Sequence, residues 1–238
     1  MISDIFRSLA ILALMIGGSA ATVVAGAVGR GQRWPAAVMR WWGCAFARLA
    51  GWKILVSGLE NLPPGGAMLV ANHQSLADIP LLLATVPGDV RFVAKKELGR
   101  VFLFGRAIVA AGNLLVDRSD RRDAVRMMRE AGLRLSRGER IVLFPEGTRS
   151  ADGTIGPFKS GAFRIAEGAG VPVVPVFIDG SRLALPKGAL RVHPATLTLR
   201  VLPPIRSATG GDPHGAQELT RLAREAILAA QQAARVIS

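Results

Sequence analysis

Two short blocks of sequence carry the side chains with the clearest chemistry. The first, residues 72–78, reads Asn-His-Gln-Ser-Leu-Ala-Asp and holds the imidazole of His73 and the carboxylate of Asp78. The second, residues 144–150, reads Phe-Pro-Glu-Gly-Thr-Arg-Ser and holds a carboxylate, a glycine and a guanidinium. A base paired with a carboxylate can activate a hydroxyl group, and a guanidinium can grip a phosphate. Together the blocks predict chemistry on a substrate that carries both a hydroxyl and a phosphate.

The spacing of His73 and Asp78 determines how the two side chains can meet. Residues five apart on one helix point about 140° apart, which separates them. Because Pro80 is tolerated only in a first helical turn, we expect His73 in a strand-to-helix loop and Asp78 at the start of the helix. The loop can then bend the imidazole onto the carboxylate, which would fix the tautomer while the other ring nitrogen takes a proton. A capped loop without a catalytic role is the alternative for this pair alone.

The second block favours the catalytic interpretation. Residues 141–144 read as a buried strand, and α/β folds place functional groups at the ends of such strands. Glu146 is expected to orient substrate or catalytic groups. Gly147 would let backbone amides approach an oxyanion or phosphate, and Arg149 would clamp a phosphate. An ordinary glycine turn with a surface ion pair is the alternative.

Short apolar runs alternate with helical patterns from about residue 53 onward. Seven runs read as buried strands: residues 53–56, 67–70, 91–93, 114–116, 141–144, 173–178 and 197–201. A helix capped by Ser119 is expected to run to about Arg137. A last helix is expected from Asp212, and its apolar face would carry Leu219, Leu222, Ala226 and Ala230. The alternation predicts an α/β fold, a single domain with a mixed, mostly parallel sheet flanked by helices.

The amino-terminal segment predicts a membrane anchor. Residues 8–29 contain no charged side chain and approach the ~20 residues that a spanning helix needs. All four tryptophans follow within residues 34–52, interleaved with arginines, as in segments that lie among lipid headgroups. Basic residues follow the apolar run, which predicts that this side faces the cytoplasm. A helix pair in one leaflet, a cleaved signal peptide and a buried core helix are the alternatives.

The amino-acid composition and net charge limit the classes of partner and cofactor to be expected. The net charge of +13 over 238 residues implies a negatively charged partner, such as nucleic acid, an anionic membrane or an acidic protein. No helix-turn-helix, zinc-finger or RNA-binding signature is present, so we expect no nucleic acid. The single cysteine excludes an intramolecular disulfide and fits a reducing compartment. Three widely spaced histidines and one cysteine do not form a metal-site pattern.

The sequence resembles the glycerolipid acyltransferase family, whose type member is 1-acylglycerol-3-phosphate acyltransferase. Residues 72–78 match the family's NHxxxxD motif, and residues 144–150 match its FPEGTRS block without a change. Residues 112–118 resemble its second block, and residues 171–176 resemble its fourth. The resemblance covers roughly residues 52–204. NHxxxxD alone is a weak signal, but the set in this order and spacing is strong.

This resemblance implies a role for each matching side chain. His73 would be the general base that acts on the free hydroxyl of an acceptor, and Asp78 would be its partner. The hydroxyl would attack an acyl thioester, with acyl-CoA or acyl carrier protein as the donor co-substrate. No metal or redox cofactor is implied. The implied substrate-binding positions are Arg118, Glu146, Gly147, Thr148, Arg149 and Lys159.

The resemblance also implies a membrane-bound enzyme that acylates lysophosphatidic acid to phosphatidic acid. Residues 1–51 would form the membrane anchor with an interfacial helix, and residues 52–238 would form the acyltransferase domain. The expected location is the cytoplasmic (inner) membrane, with the domain on the cytoplasmic side. The expected partners are a lysophospholipid acceptor, the thioester donor and an anionic membrane. The alternatives are the same chemistry on glycerol 3-phosphate, a lyso-ornithine lipid or another lysophospholipid, and a catalytically inactive membrane- or lipid-binding protein.

Overall fold

A computed structural model describes residues 2–28, 33–117, 119–206 and 215–237, leaving aside the side chains at positions 2–5, 33, 162 and 237. The helices are α1 (Ile2–Val28), α2 (Arg33–Ala50), α3 (Asp78–Thr85), α4 (Phe104–Ala110), α5 (Arg121–Ser136), α6 (Gly161–Gly168), α7 (Ser181–Ala184) and α8 (Gly215–Ile237). The strands are β1 (Lys53–Ser57), β2 (Ala67–Ala71), β3 (Val90–Lys95), β4 (Leu114–Val116), β5 (Arg140–Leu143), β6 (Val173–Asp179) and β7 (Thr196–Val201). Short 3₁₀ turns, Leu59–Asn61 and Lys96–Arg100, complete the regular structure of these ranges.

The seven strands form one mixed sheet in the order β1-β7-β6-β2-β5-β3-β4. Every neighbouring pair is parallel except β6 and β7, which run antiparallel. The predicted fold class is therefore confirmed, and each predicted strand is present. The expected burial is wrong for β1, which is mostly exposed because it lies at one edge of the sheet. The largest difference between a predicted and an observed strand end is at β3, which extends to Lys95 instead of residue 93.

Helices cover both faces of the sheet, and β2 at its centre shows why the strands read as continuous apolar runs. All five residues of β2 are buried. Ala67, Leu69 and Ala71 join the core cluster shared with α2 and α3, whereas Met68 and Val70 join the cluster shared with α5, α6 and α8. Successive side chains of a strand point to opposite faces, so a strand covered on both sides has no polar alternation.

The amino-terminal helices pack against the rest of the fold. Within the described ranges, only residues 6–28 form a helix long and apolar enough to cross a membrane, with a mean hydropathy of 2.1. This helix contacts α2 and α4, and α2 in turn contacts α3. Trp34 and Trp41 are exposed, but Trp42 and Trp52 belong to the core cluster. The expected headgroup position is therefore wrong for Trp42 and Trp52, because both rings pack at tilted angles against Phe46. Trp42 and Phe46 lie on the inner face of the amphipathic helix α2, and Trp52 follows the end of that helix.

Two predicted helices need correction. Asp120, rather than Ser119, caps α5 by accepting hydrogen bonds from the two amides at positions 122 and 123. The Ser119 hydroxyl instead donates to Asp117 at 2.6 Å. The predicted apolar face of α8 is rotated. Leu219 and Ala230 are buried as expected, but Leu222 and Ala226 are half-buried, and the other buried apolar side chains are Ala216, Ala223 and Ile227. The predicted start of that helix, Asp212, lies outside the described residues.

Candidate active site

The two sequence blocks meet because β2 and β5 are parallel neighbours in the sheet. His73 follows β2 after one intervening residue, and Phe144 directly follows β5. Parallel strands end at the same edge of a sheet, so both blocks leave the sheet side by side. This edge is where α/β folds commonly build their sites.

His73 and Asp78 form a direct pair at this edge. Nδ1 of His73 lies 2.7 Å from Oδ2 of Asp78, which confirms the expected contact. The same carboxylate oxygen accepts hydrogen bonds from the backbone amides of Gln74, at 2.9 Å, and Ser75, at 3.0 Å. Asp78 is fully buried, whereas the His73 side chain is 14 % exposed. Within the described chain no hydrogen-bond partner occupies Nε2 of His73, and the ring is partly exposed, so this nitrogen is available to a ligand.

Buried polar side chains of the first block tie it to neighbouring elements. The Asn72 amide donates to the carbonyl of Ile178 and accepts from its N–H, both at 2.8 Å, so it pairs with β6 as a strand residue would. The Ser75 hydroxyl donates to the carbonyl of Leu185 at 2.6 Å and accepts from the Ala77 amide at 3.0 Å. Because buried polar groups are stable only when hydrogen-bonded, these contacts hold the His73 loop in one conformation.

The second block holds His73 from the opposite side. The Phe144 ring stacks on the imidazole, with 3.9 Å between ring centroids and 15° between planes. Oε1 of Glu146 accepts from the His73 amide at 2.8 Å, and Oε2 accepts from the Gly156 amide at 2.9 Å. The Ser150 amide donates to the His73 carbonyl at 2.8 Å. The histidine backbone is therefore bonded on both its N–H and its C=O to one block.

Four of the other predicted substrate-binding residues, Gly147, Thr148, Arg149 and Lys159, lie in the second block or beside it. Gly147 has a φ of 74°, which favours glycine, and its N–H donates to the Phe144 carbonyl at 3.1 Å. Thr148 and Lys159 are exposed, and Arg149 is half-buried. Backbone hydrogen bonds place Lys159 beside Pro145, and Arg149 directly precedes the residue bonded to His73. The sixth position, Arg118, lies outside the described residues.

A structured loop borders the second block. The Asp152 carboxylate accepts hydrogen bonds from the Thr154 amide, the Thr154 hydroxyl and the Ser150 hydroxyl, and these bonds lower the pKa of Asp152 to about 2. The Gln231 side chain on α8 donates to the Gly153 carbonyl at 2.9 Å. These contacts fix the turn after Arg149.

An apolar cavity of about 220 Å³ ends on the loop that bears His73. Its walls come from the amino-terminal helices, the start of α3, β3 and α4. Leu76 and Ile79 contribute from the His73 loop and α3, and Met15 and Trp42 contribute from α1 and α2. Ser19 and Asn113 are the polar side chains in the lining. Asn113 is already bonded to the Phe92 amide and the Ile108 carbonyl, so the cavity suits an apolar occupant.

Sequence reasoning missed several residues that shape the site. It gave no role to the paired hydrogen bonds of Asn72 or to the stacking of Phe144 on His73. It also did not foresee that Gly156, ten residues after Glu146, would receive the second oxygen of that carboxylate. The one available signal was the polar character of Asn72 at the end of an otherwise apolar strand. Across the described ranges, no group of three or more His, Cys, Asp or Glu side chains is placed to hold a metal ion.

Comparisons with known proteins agree with this architecture. The sequence model of the Acyltransferase family matches residues 53–179, so the chain belongs to the acyltransferase family. The crystal structure of the 1-acyl-sn-glycerophosphate (LPA) acyltransferase PlsC from Thermotoga maritima aligns over 97 % of both chains, with a TM-score of 0.79 and 25 % sequence identity.

Several relatives in sequence are 1-acyl-sn-glycerol-3-phosphate acyltransferases. A 1-acyl-sn-glycerol-3-phosphate acyltransferase from Chlamydomonas reinhardtii is 34 % identical over 70 % of this chain and 52 % of its own length. One from Cocos nucifera is 37 % identical over 59 % of this chain and 46 % of its own length. The human 1-acyl-sn-glycerol-3-phosphate acyltransferase alpha is 36 % identical over 66 % of this chain and 56 % of its own length. The chain thus spans about half the length of these relatives.

Proposed function

We propose that this protein transfers a fatty acyl group to the free hydroxyl of 1-acyl-glycerol 3-phosphate (lysophosphatidic acid) and so makes phosphatidic acid. The observation that carries the proposal is the 2.7 Å contact between His73 Nδ1 and Asp78 Oδ2, in a segment whose Leu76 and Ile79 line an apolar cavity. Membership of the acyltransferase family supports the reaction type. The names of the relatives and of the structural neighbour support this acceptor.

The proposed mechanism uses His73 as a general base. In this mechanism Asp78 accepts a hydrogen bond from the Nδ1–H group of His73, so Nε2 is the nitrogen that takes a proton from the acceptor hydroxyl. The hydroxyl oxygen attacks the carbonyl carbon of an acyl thioester and forms a tetrahedral intermediate. The C–S bond then breaks, and the imidazolium returns its proton to the leaving thiolate. Because the substrate brings its own hydroxyl, no covalent acyl-enzyme is needed.

Cations near the same edge suit the acceptor phosphate. Arg149 and Lys159 make no ion pair with any residue that the structure describes, so both charges are available to a ligand. Arg118 is proposed as a third phosphate ligand on the strength of its match to the family's second block. A guanidinium can bind phosphate through two parallel hydrogen bonds, which also orients the substrate. Gly147 and Thr148 are proposed to shape the acceptor site between these charges.

Glu146 is proposed to act on substrate indirectly. Both of its carboxylate oxygens are bonded to backbone amides, one of them the amide of His73. The carboxylate therefore supports the loops that would surround the acceptor and the base. In this role Glu146 is a positioning residue.

The apolar cavity is the proposed site of an acyl chain. Its occupant would be bound by contact with methylene and aromatic groups, and its reactive end would lie near Leu76, three residues from His73. A long saturated chain gains about 0.8 kcal/mol for each CH₂ group that leaves water. The donor is proposed to be acyl-CoA or acyl carrier protein.

The protein is proposed to work at a membrane. Residues 6–28 form a helix apolar enough to enter a bilayer, and the net charge of +13 suits an anionic surface. The proposed location is the cytoplasmic membrane, with the sheet domain on the cytoplasmic side. An anchor of this kind would keep the site close to substrates that remain in the bilayer.

A thiol-release assay tests the proposal. Membranes that contain the protein would receive an acyl thioester with lysophosphatidic acid, glycerol 3-phosphate or a lyso-ornithine lipid. We expect thiol release with lysophosphatidic acid, and a loss of about 10²–10⁴-fold in His73→Ala, the usual contribution of a general base. His193→Ala is the matched control, since His193 is an exposed histidine outside both blocks. Release with another acceptor alone would change the proposed substrate, and equal rates in His73→Ala and the wild type would exclude the base.

A further inference from the structure

We propose that the turn at residues 98–103, together with Val109, inserts into the apolar layer of an anionic bilayer as a membrane contact separate from the amino-terminal helices. The proposal rests on the proposed membrane location and extends it to a part of the sheet domain. The four apolar side chains of this surface are Leu98, Val101, Phe102 and Val109, here called the turn patch, and all four are exposed.

The backbone of the turn presents Phe102 to the outside. Leu103 has φ 59° and ψ −53°, the one positive φ at a non-glycine residue in the described chain. The Phe104 amide donates to the Phe102 carbonyl at 2.6 Å, which closes a γ-turn around Leu103. A γ-turn of this hand is rare and strained, and such strain persists only where surrounding contacts enforce it. The consequence is a phenylalanine with 86 % of its surface exposed.

The surrounding contacts are close and specific. The Gly105 amide donates to the Val101 carbonyl at 2.7 Å, and the Ala107 amide donates to the Leu103 carbonyl at 2.9 Å. A side chain at Gly105 would come within 2.3 Å of the Gly99 carbonyl oxygen, so the two halves of the turn touch through backbone. The backbone of the turn is therefore held in shape by its contacts with α4.

The charged residues beside the turn patch indicate what binds to it. Arg100 and Arg106 flank the patch, both are exposed, and neither forms an ion pair with a described residue. Apolar side chains bordered by cations match a bilayer whose acyl layer is bordered by anionic phosphates. A protein that bound here would need acidic groups opposite Arg100 and Arg106, whereas an anionic bilayer supplies them along its whole surface.

Continuity with the amino-terminal helix points to the same occupant. Helix α4 packs on α1, where a side chain at Gly26 would meet the Ala110 Cβ at 3.0 Å. Exposed apolar residues of α1, such as Leu12, thus belong to a helix in contact with the element that bears the patch. The inner side of the same element lines the apolar cavity through Phe104 and Ala107. A bilayer against the patch would therefore lie next to the cavity wall.

A site-specific quenching experiment tests the inference. In a Cys44→Ser background, an environment-sensitive fluorophore would be attached at Phe102→Cys, at Leu12→Cys and at Val125→Cys. Val125 is the matched control, because it is an apolar residue with 60 % exposure on α5, across the sheet from α1 to α4. The full-length protein would be mixed with phosphatidylcholine–phosphatidylglycerol vesicles that carry doxyl-labelled acyl chains.

We expect a blue shift and strong quenching at positions 12 and 102, and neither at position 125. Quenching at position 12 without quenching at position 102 would overturn the inference while leaving the anchor intact. A blue shift at position 102 that grows with protein concentration and shows no lipid quenching would mean that a second copy covers the patch, and would also overturn it. Absence of quenching at both positions would remove the membrane contact altogether.

A second measurement separates this inference from the proposed reaction. Phe102→Asp should lower the rate on vesicle-borne lysophosphatidic acid by about tenfold, because a charge replaces a large apolar side chain at the membrane contact. Its rate on a dispersed short-chain acceptor should equal that of the wild type, and Phe102→Leu should keep both rates. Equal losses on both acceptors would show a structural defect and contradict the inference. Inactivity of the wild type on every acceptor would contradict the proposed function and leave the quenching result standing.

Discussion

Replacing Glu146 tests whether the second block acts by holding His73. Each oxygen of this carboxylate accepts one backbone amide, at 2.8 Å from His73 and 2.9 Å from Gly156. Hydrogen bonds to a charged group contribute about 1.5–3 kcal/mol each, so Glu146→Ala should remove about 3 kcal/mol or more of loop stabilisation. Glu146→Gln keeps one acceptor oxygen but points an NH₂ group at the other amide, so it should lose about half of that.

The loss of these hydrogen bonds should lower kcat more than it changes the KM for the acceptor. A displacement of His73, the proposed base, by about 1 Å can reduce a rate by about 10²-fold. We therefore expect kcat to fall about 10²-fold in Glu146→Ala and less in Glu146→Gln, while the KM for lysophosphatidic acid stays near the wild-type value. Thiol release at saturating donor, measured over a range of acceptor concentrations, gives both constants.

The control for this experiment is Glu225→Gln on α8. Glu225 is an exposed glutamate that pairs with Arg221 at 2.8 Å, and surface pairs of this kind contribute little. Its kinetic constants should match the wild type. If Glu146→Ala raised the KM for the acceptor and left kcat unchanged, then the carboxylate would bind substrate directly, and the positioning argument would be refuted.

Three further predictions concern Asn72, the apolar cavity and Asp152. Asn72→Ala should lower the free energy of unfolding by about 3 kcal/mol in urea titrations, because it leaves the N–H and C=O of Ile178 without partners; an unchanged midpoint would contradict this. Ala107→Leu should shift donor preference toward shorter acyl chains in competition assays, because Ala107 lines the cavity; an unchanged preference would place the acyl chain elsewhere. Hydrogen bonds hold the folded pKa of Asp152 at about 2, below its unfolded value, so their stabilisation is present above the unfolded pKa and is lost as the pH falls through about 2. Carbon-detected NMR should show that midpoint, and Thr154→Val should raise it, whereas an unmoved midpoint would rule out the hydroxyl as a cause.

The strands were predictable because their signal is local. A strand such as β2 is buried on both faces and bounded by turn residues, so its apolar run marks it in the sequence. The His73–Asp78 contact was predictable because Pro80 restricts where the helix can begin. The catalytic and binding roles of the site residues stay predictions. The order of the strands, and the antiparallel pairing of β6 with β7, depend on contacts between distant segments and left no local pattern.

The burial of polar and aromatic side chains could not be predicted from the local sequence. Arg91 lies in β3 with 1 % exposure, and its burial lowers its pKa even though Asp89 and Glu139 lie nearby. A local sequence pattern cannot show that two carboxylates will converge on one buried arginine. Trp42 and Trp52 illustrate the same limit, because neighbouring arginines suggested a headgroup position, whereas packing against Phe46 places both rings in the core.

The apolar cavity is lined by two different parts of the chain, which affects what a change to either part would do. Met15 and Trp42 come from the amino-terminal helices, and Ile79 and Ala107 come from the sheet domain, so one cavity is assembled from both. A chimera that exchanged only the amino-terminal helices for those of a relative would therefore inherit a different cavity along with a different proposed anchor. The membrane to which such a protein is directed and the fatty acid that it accepts are thus expected to be coupled traits, which change together when this segment changes.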